Sequence, residues 1–236
     1  MLLPWKTASQ TIALRLKNYN ESPYPQFFYF NSYLNRVVHQ HITFADFNCL
    51  PESRLGYFNA SFARNPYDRV YSGFKQLQKD IQSQPQKPFP HPWIRNLVMK
   101  QLNENFEQTS KAGYDFDAWL DLVQDEQIYE IGRNTNFPLH PAHYWTHCAN
   151  KQTVDFIGRV ENFEIDFQEF LSRIGIDEQL PLLNCNVTES VPDILKNIGQ
   201  PTPYKYLNYM NAQSVNKINR LFERDFEIFG YKQIFP

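Results

Sequence analysis

Lys6-Thr7-Ala8-Ser9-Gln10-Thr11 places one ammonium and three hydroxyl side chains just ahead of the apolar Ile12-Ala13-Leu14. A polar turn that opens a helix presents free backbone N–H groups, and with a lysine beside them it can hold a phosphate. The same pattern can be no more than a helix cap. A second segment runs Arg64-Asn65-Pro66-Tyr67-Asp68-Arg69-Val70-Tyr71-Ser72. Arg64 closes an apolar run at the end of a strand, where open parallel sheets take ligands. Asn65-Pro66 starts a helix, and Ser72 lies two turns along it. An arginine and a serine so placed can grip one phosphate from two sides. Arg69 can join them, or pair with Asp68 or with a later acid on the surface.

Two groups of histidines could do further chemistry. His39 and His41 bracket Gln40, and on a strand residues i and i+2 point to one face. Two imidazoles facing one space can act as a general base, ligate a metal, or simply hydrogen-bond each other. His140, His143, His147 and Cys148 invite a zinc reading, since a helix would put His143 and His147 on one face. Pro141 and the aromatic neighbours favour instead a loop or helix start packed on the core, with structural histidines.

Composition bounds what these groups can serve. Of 236 residues, 42% are apolar and 20% charged, enough for a sizeable core and unlike a disordered or coiled-coil chain. The net charge of −2 supplies no bulk field for nucleic acid or an anionic membrane, so any bound anion needs a local cluster. Glycine is scarce, at 8, which argues against repeated Gly-rich nucleotide loops. Cys49, Cys148 and Cys185 are odd in number and widely spaced, as expected of reduced thiols. The opening Met-Leu-Leu-Pro-Trp-Lys is not a secretory signal, and no run of eighteen apolar residues occurs. The expectation is a soluble, cytoplasmic chain, unless an N-terminal anchor has been trimmed. The Asn-x-Ser/Thr sites at Asn20, Asn59 and Asn186 would then stay unused.

The elements that must carry these groups alternate between strand and helix. Met1 to Trp5, Gln26 to Asn31, Arg36 to Ile42, the run Leu55 to Ala63, and Val154 to Gly158 read as strands. Helices are expected from Ile12, over Tyr67 to Gln82, Trp93 to Phe106, Phe116 to Val123 and Asn162 to Ile174, and over Gln213 to Phe229. Asp115, Asp117 and Asp121 read as caps and solvated face of one helix start. Gln84 to Pro92 reads as a Pro-rich loop and Leu180 to Gln200 as irregular. The sum is one α/β domain over residues 1–236, with a central, mostly parallel sheet flanked by helices and a helical insertion at about 85–150.

The two anion segments together, in this order, resemble the sulfotransferases. Lys6 to Ser9 resembles the loop that binds the 5′-phosphosulfate of 3′-phosphoadenosine 5′-phosphosulfate. Arg64 through Ser72 resembles the family's Arg-x-Pro-x-x-Arg-x-x-Ser segment, which binds the 3′-phosphate. Phe156-Ile157-Gly158-Arg159-Val160-Glu161-Asn162 and Asp225 to Tyr231 resemble later family stretches, while residues 80–150 carry little likeness. The likeness is greatest to the carbohydrate branch that includes heparan sulfate 2-O-sulfotransferases. Trp5, Ser9 and Gln10 depart from the family's common Pro, Gly and Thr.

The resemblance implies a P-loop-like three-layer fold and sulfuryl transfer from that donor to a hydroxyl acceptor, a carbohydrate in this branch. It implies Lys6 at the leaving phosphate, Thr7, Ala8, Ser9, Gln10 and Thr11 around the 5′ side, and Arg64, Ser72 and Arg159 toward the nucleotide. It also makes the histidine pair the base, His41 ahead of His39, with adenosine 3′,5′-bisphosphate as product and no metal required. Two rivals stand beside it. A P-loop phosphotransferase is disfavoured by the missing G-x-x-x-x-G-K-[ST], and a non-catalytic nucleotide-binding module would keep the same phosphate ligands.

Overall fold

The computed structural model describes residues 1–20, 28–83, 89, 91–132, 137–176 and 206–236. The expected loop at 84–92 and the irregular stretch 180–200, with Cys185 and Asn186, fall largely or wholly outside these residues.

The first helix, α1 (Ser9–Arg15), follows the polar turn. A hairpin comes next, β1 (Phe28–Asn31) against β2 (Arg36–His39), then the short α2 (Phe44–Asn48). The apolar run from Leu55 forms a strand only over β3 (Ala60–Ala63), and β3 feeds α3 (Pro66–Ser83). Asn65 caps α3 as its type predicts, its Oδ1 accepting from the Tyr67 N–H at 3.0 Å. Helices α4 (Pro92–Lys111), α5 (Phe116–Leu122) and α6 (Asp125–Tyr129) follow, then a small hairpin of β4 (His147–Cys148) and β5 (Lys151–Gln152). The chain returns through β6 (Phe156–Arg159) to α7 (Phe163–Arg173) and ends with α8 (Ala212–Leu221) and α9 (Glu223–Phe229).

A mostly parallel sheet is not what the described residues show. One pair, β3 with β6, is parallel, and the other two pairs are antiparallel hairpins. The N-terminal segment lies beside β3, where the Leu2 N–H donates to the Ala60 carbonyl at 2.9 Å. Pro4, two residues on, has no N–H to extend that ladder, so the expected first strand stops at one bond.

Both faces of this small sheet are covered. Ala60, Phe62 and Phe156 pack with Ile12 of α1 and Phe167, Phe170 and Leu171 of α7. Ala63 and Ile157 look the other way, toward Ala142 and Phe229. Phe62 and Gly158 are register partners, and a Cβ at 158 would come within 2.4 Å of the Phe62 ring. Only glycine lets the two strands close over that ring. The largest core joins α3, α5, α8 and α9 through Tyr67, Phe74, Trp119, Ile218 and Phe226.

The C-terminal helix predicted over Gln213 to Phe229 is two helices. The chain breaks at Phe222 (φ −119°, ψ 20°), with neither Gly nor Pro to announce it. Tertiary demand explains the break. The turn buries Phe222 under the Arg69 guanidinium and swings Asp225 inward as that arginine's partner.

Candidate functional site

The polar turn is built on strained backbone. Lys6 (φ 65°) and Ala8 (φ 61°) both adopt the left-handed conformation that non-glycine residues avoid. Alternating such residues curls successive N–H groups into a concave cradle of the kind that holds anions. Thr7 is fully buried and its Oγ1 donates to the Pro4 carbonyl at 2.8 Å, so this hydroxyl ties the turn rather than facing outward. Thr11 is buried, Ser9 is half-buried and Gln10 is exposed.

The Lys6 ammonium reaches across to α3, donating to Gln76 Oε1 at 3.1 Å, and Gln76 Nε2 in turn donates to Asp80 at 2.8 Å. Burial pushes the Lys6 ammonium down to about 8; the Arg64 charge adds to this, Asp80 partly offsets it, and Lys79 lowers it again. Gln76 escaped the sequence reading, although its place one turn beyond Ser72 puts it on the same helix face.

Arg64 stands at the tip of β3, as predicted. Its Nη1 donates to the Lys6 carbonyl at 3.3 Å and its guanidinium lies 6.0 Å over the Tyr206 ring. Among the described residues no carboxylate pairs with it. Ser72 is buried on α3. Next to Arg64, the Asn65 side-chain Nδ2 is buried with no hydrogen-bond partner among the described residues. A desolvated ammonium, an arginine lacking an acid and a spare buried N–H group form a donor set that suits a phosphate.

Arg159 ends β6 beside Ala63, so the two arginine-bearing strand tips are neighbours. Its Nη2 donates to the Phe229 carbonyl at 2.6 Å and its guanidinium sits 5.0 Å over Tyr231. Glu161 fastens this corner, accepting from the Asn65 N–H at 2.7 Å and from the Tyr231 hydroxyl at 2.8 Å. Burial first, then the Glu161 charge, raises the Tyr231 hydroxyl far above the usual phenol range.

Strand β2 stops at His39, so His41 lies beyond it, yet the rings still share one side. They stack at 4.9 Å and 19°, and Trp5 lies against both, 4.5 Å from His39 and 4.4 Å from His41. His41 Nδ1 is 2.7 Å from the Leu3 carbonyl, which can only accept. Nδ1 therefore carries the hydrogen, and the basic nitrogen of the neutral ring is Nε2. His39 Nδ1 instead accepts from the His41 backbone N–H at 3.3 Å.

The second histidine group serves the interior. His140 is buried and donates from Nδ1 to the Ile128 carbonyl at 2.9 Å. As the favoured reading expects, His143 lies in a single tight turn, Ala142–Trp145, rather than a helix reaching His147, which stands on β4. His143 Nδ1 bonds Asp225 at 2.7 Å, while His147 Nδ1 meets Thr146 Oγ1 at 2.8 Å. Burial lowers the His147 imidazole, and the His143 charge lowers it further. Among the described residues, no three His, Cys, Asp or Glu side chains are grouped to hold a metal ion. Arg69, left open by the sequence, is fully buried on Asp225 (3.2 Å) and the His140 carbonyl (2.9 Å). Asp68 accepts from the Tyr206 N–H instead.

Comparison with known proteins agrees with the family resemblance. A family model described as "Sulfotransferase family" matches residues 6–232. The chain is 27% identical over 188 residues to "Carbohydrate sulfotransferase 10" of Xenopus laevis, covering 75% of this chain and 48% of that protein. Proteins of the same name from Rattus norvegicus (27% over 219 residues) and Mus musculus (26% over 219 residues) are covered over 55% of their length, with 84% of this chain aligned. The chain thus spans about half the length of the curated relatives it matches. No solved structure gives a significant match. No described helix is long and apolar enough to cross a membrane.

Proposed function

Because this chain belongs to the sulfotransferase family, we propose that it transfers the sulfuryl group of 3′-phosphoadenosine 5′-phosphosulfate to a hydroxyl of a carbohydrate acceptor. One observation carries the reading. The Trp5–Lys6 turn joins the two halves of the chemistry, with Trp5 stacked on both histidines and the Lys6 carbonyl held by Arg64. Lys6 and Arg64 are the phosphate ligands, with Ser72, Asn65 and Arg159 around them. The 5′ side is taken by the backbone from Lys6 to Thr11, Thr7 serving as its internal tie. We read the parallel pair and its flanking helices as part of a P-loop-like three-layer fold.

In the reaction, His41 Nε2 accepts the acceptor's hydroxyl proton as that oxygen bonds to sulfur. The bond from sulfur to the phosphate oxygen breaks, and Lys6 neutralises the charge left on that oxygen. His39, accepting from the His41 backbone, holds the base's backbone and stacks on its ring. The name of the matched relatives supports a carbohydrate acceptor. A screen of carbohydrates and phenols with labelled sulfuryl donor tests the reading. His41→Ala should lower turnover by roughly 10²–10⁴-fold with bisphosphate affinity nearly unchanged. Wild-type protein that sulfates nothing in the screen would instead support the binding-module alternative.

A further inference from the structure

The rings at the histidine pair do not end there. Phe28 on β1 meets His39 edge-on at 4.6 Å, and Phe30, its neighbour on the same strand face, meets Trp93 edge-on at 5.7 Å. Phe28 and His39 are buried, while Phe30 (44%) and Trp93 (50%) are well exposed. The row therefore starts inside at the histidines and reaches solvent one strand step away, about 7 Å along β1. Trp93 opens α4, with the exposed His91 before it and the exposed Asn96 three residues on along the same face as a polar rim to this apolar surface. Indole and phenyl faces carry negative charge density and attract the axial C–H bonds of β-linked gluco- and galactopyranosides, while rim groups meet their equatorial hydroxyls.

We infer that Phe30 and Trp93 form a second saccharide subsite, which holds the acceptor chain beyond the sugar presented to His41. The occupant is an oligosaccharide of β-linked gluco- and galacto-configured units. This rests on the reading of His39 and His41 as the acceptor end of the site.

Binding measured without turnover tests the subsite separately from the chemistry. The probes are a linear hexasaccharide of alternating β-linked galactose and N-acetylglucosamine, and methyl β-galactoside. Calorimetry is run on protein saturated with adenosine 3′,5′-bisphosphate. Wild type should bind the hexasaccharide more tightly than the monosaccharide. Trp93→Ala should cut that advantage about tenfold, and Trp93→Phe should keep most of it. Melting temperature and bisphosphate affinity report whether each variant is folded, and Phe30→Leu provides a second, milder probe of the same surface. An advantage that survives both Trp93→Ala and Phe30→Leu, or one absent from wild type, overturns the proposal. Protein that binds the hexasaccharide through Trp93 yet sulfates nothing sinks the transferase reading and leaves the subsite standing.

Discussion

Arg64 and Arg69 lie five residues apart in one motif, and their surroundings are opposite. Arg69 is sealed in the interior against Asp225, which also accepts from the Ala142 and His143 N–H groups and from His143 Nδ1. Burial would raise the Asp225 carboxyl, but the His143 hydrogen bond and the Arg69 charge outweigh it and hold it below the usual carboxylate range. That arrangement locks α3, α9 and the 140–143 loop together, with only the Arg69 Nε lacking a hydrogen-bond partner among the described residues. Arg64 and Lys6 share only backbone, amide and ring contacts among the described residues. Burial lowers the Lys6 ammonium, and the Arg64 charge lowers it further. A desolvated cation with a matched acid is architecture; a desolvated cation without one is a place for an anion.

The contrast can be broken most forcefully at Arg69. Arg69→Leu takes the guanidinium from the Asp225 carboxylate, and Asp225→Asn takes the acid from the buried guanidinium, so each should cost roughly 3–5 kcal/mol in chemical denaturation. An Arg69→Leu protein with wild-type stability and lost bisphosphate affinity would reverse the two roles. Arg64→Ala should do the opposite. Its stability should change by no more than about 0.5 kcal/mol. Bisphosphate binding should weaken by roughly 1.5–3 kcal/mol, as for a charge-assisted hydrogen bond. Thermal shifts offer a quick check, since the bisphosphate at a hundredfold excess over Kd stabilises wild type by about 2.7 kcal/mol.

The smallest effect sharpens the comparison most. With its pKa near 8, Lys6 is protonated below that pH and loses its charge as pH rises through it. Transfer measured as kcat/KM should therefore fall on the alkaline side of about 8. A bound phosphate restores the ordinary preference for the charged form, so bisphosphate binding at pH 8–9 should take up a fraction of a proton. Calorimetry in buffers of different ionisation enthalpy reads this directly, and the uptake should vanish in Lys6→Arg. Uptake unchanged by that substitution would move the titrating group elsewhere.

Much of this site could be read in the chain because its signals are local. Asn65-Pro66 announces the start of α3, the apolar run ending at Ala63 puts Arg64 at a strand tip, and the spacing of His39 and His41 brings their rings together. What stayed hidden depends on partners far away in sequence. Asp225 is 156 residues from Arg69, Arg15 finds Glu164 across 149, and Lys6 meets Gln76 across 70. The helix break at Phe222 belongs with these, for nothing in Arg220-Leu221-Phe222-Glu223 opposes a continuous helix. The overstated parallel sheet has a different cause. Strand-length apolar runs reveal that strands exist but not their direction, so Gln26 to Asn31 and Arg36 to Ile42 give no sign that they pair as a hairpin, and the two-residue strands β4 and β5 are too short to leave a pattern at all.

The ring of Phe62 resting on the bare Cα of Gly158 fixes a dimension of the molecule. One residue beyond this pair lie Ala63 and Arg159, and two residues beyond Phe62 lies Arg64. The gap between the guanidinium-bearing tips is thus gauged by a contact made wholly of carbon, on the side of the sheet away from Ala63. A single methyl group at position 158 would act as a shim, spreading the tips without altering a charge or a hydrogen-bonding group. The tolerance of the cationic end is machined in hydrocarbon, out of reach of anything that binds there.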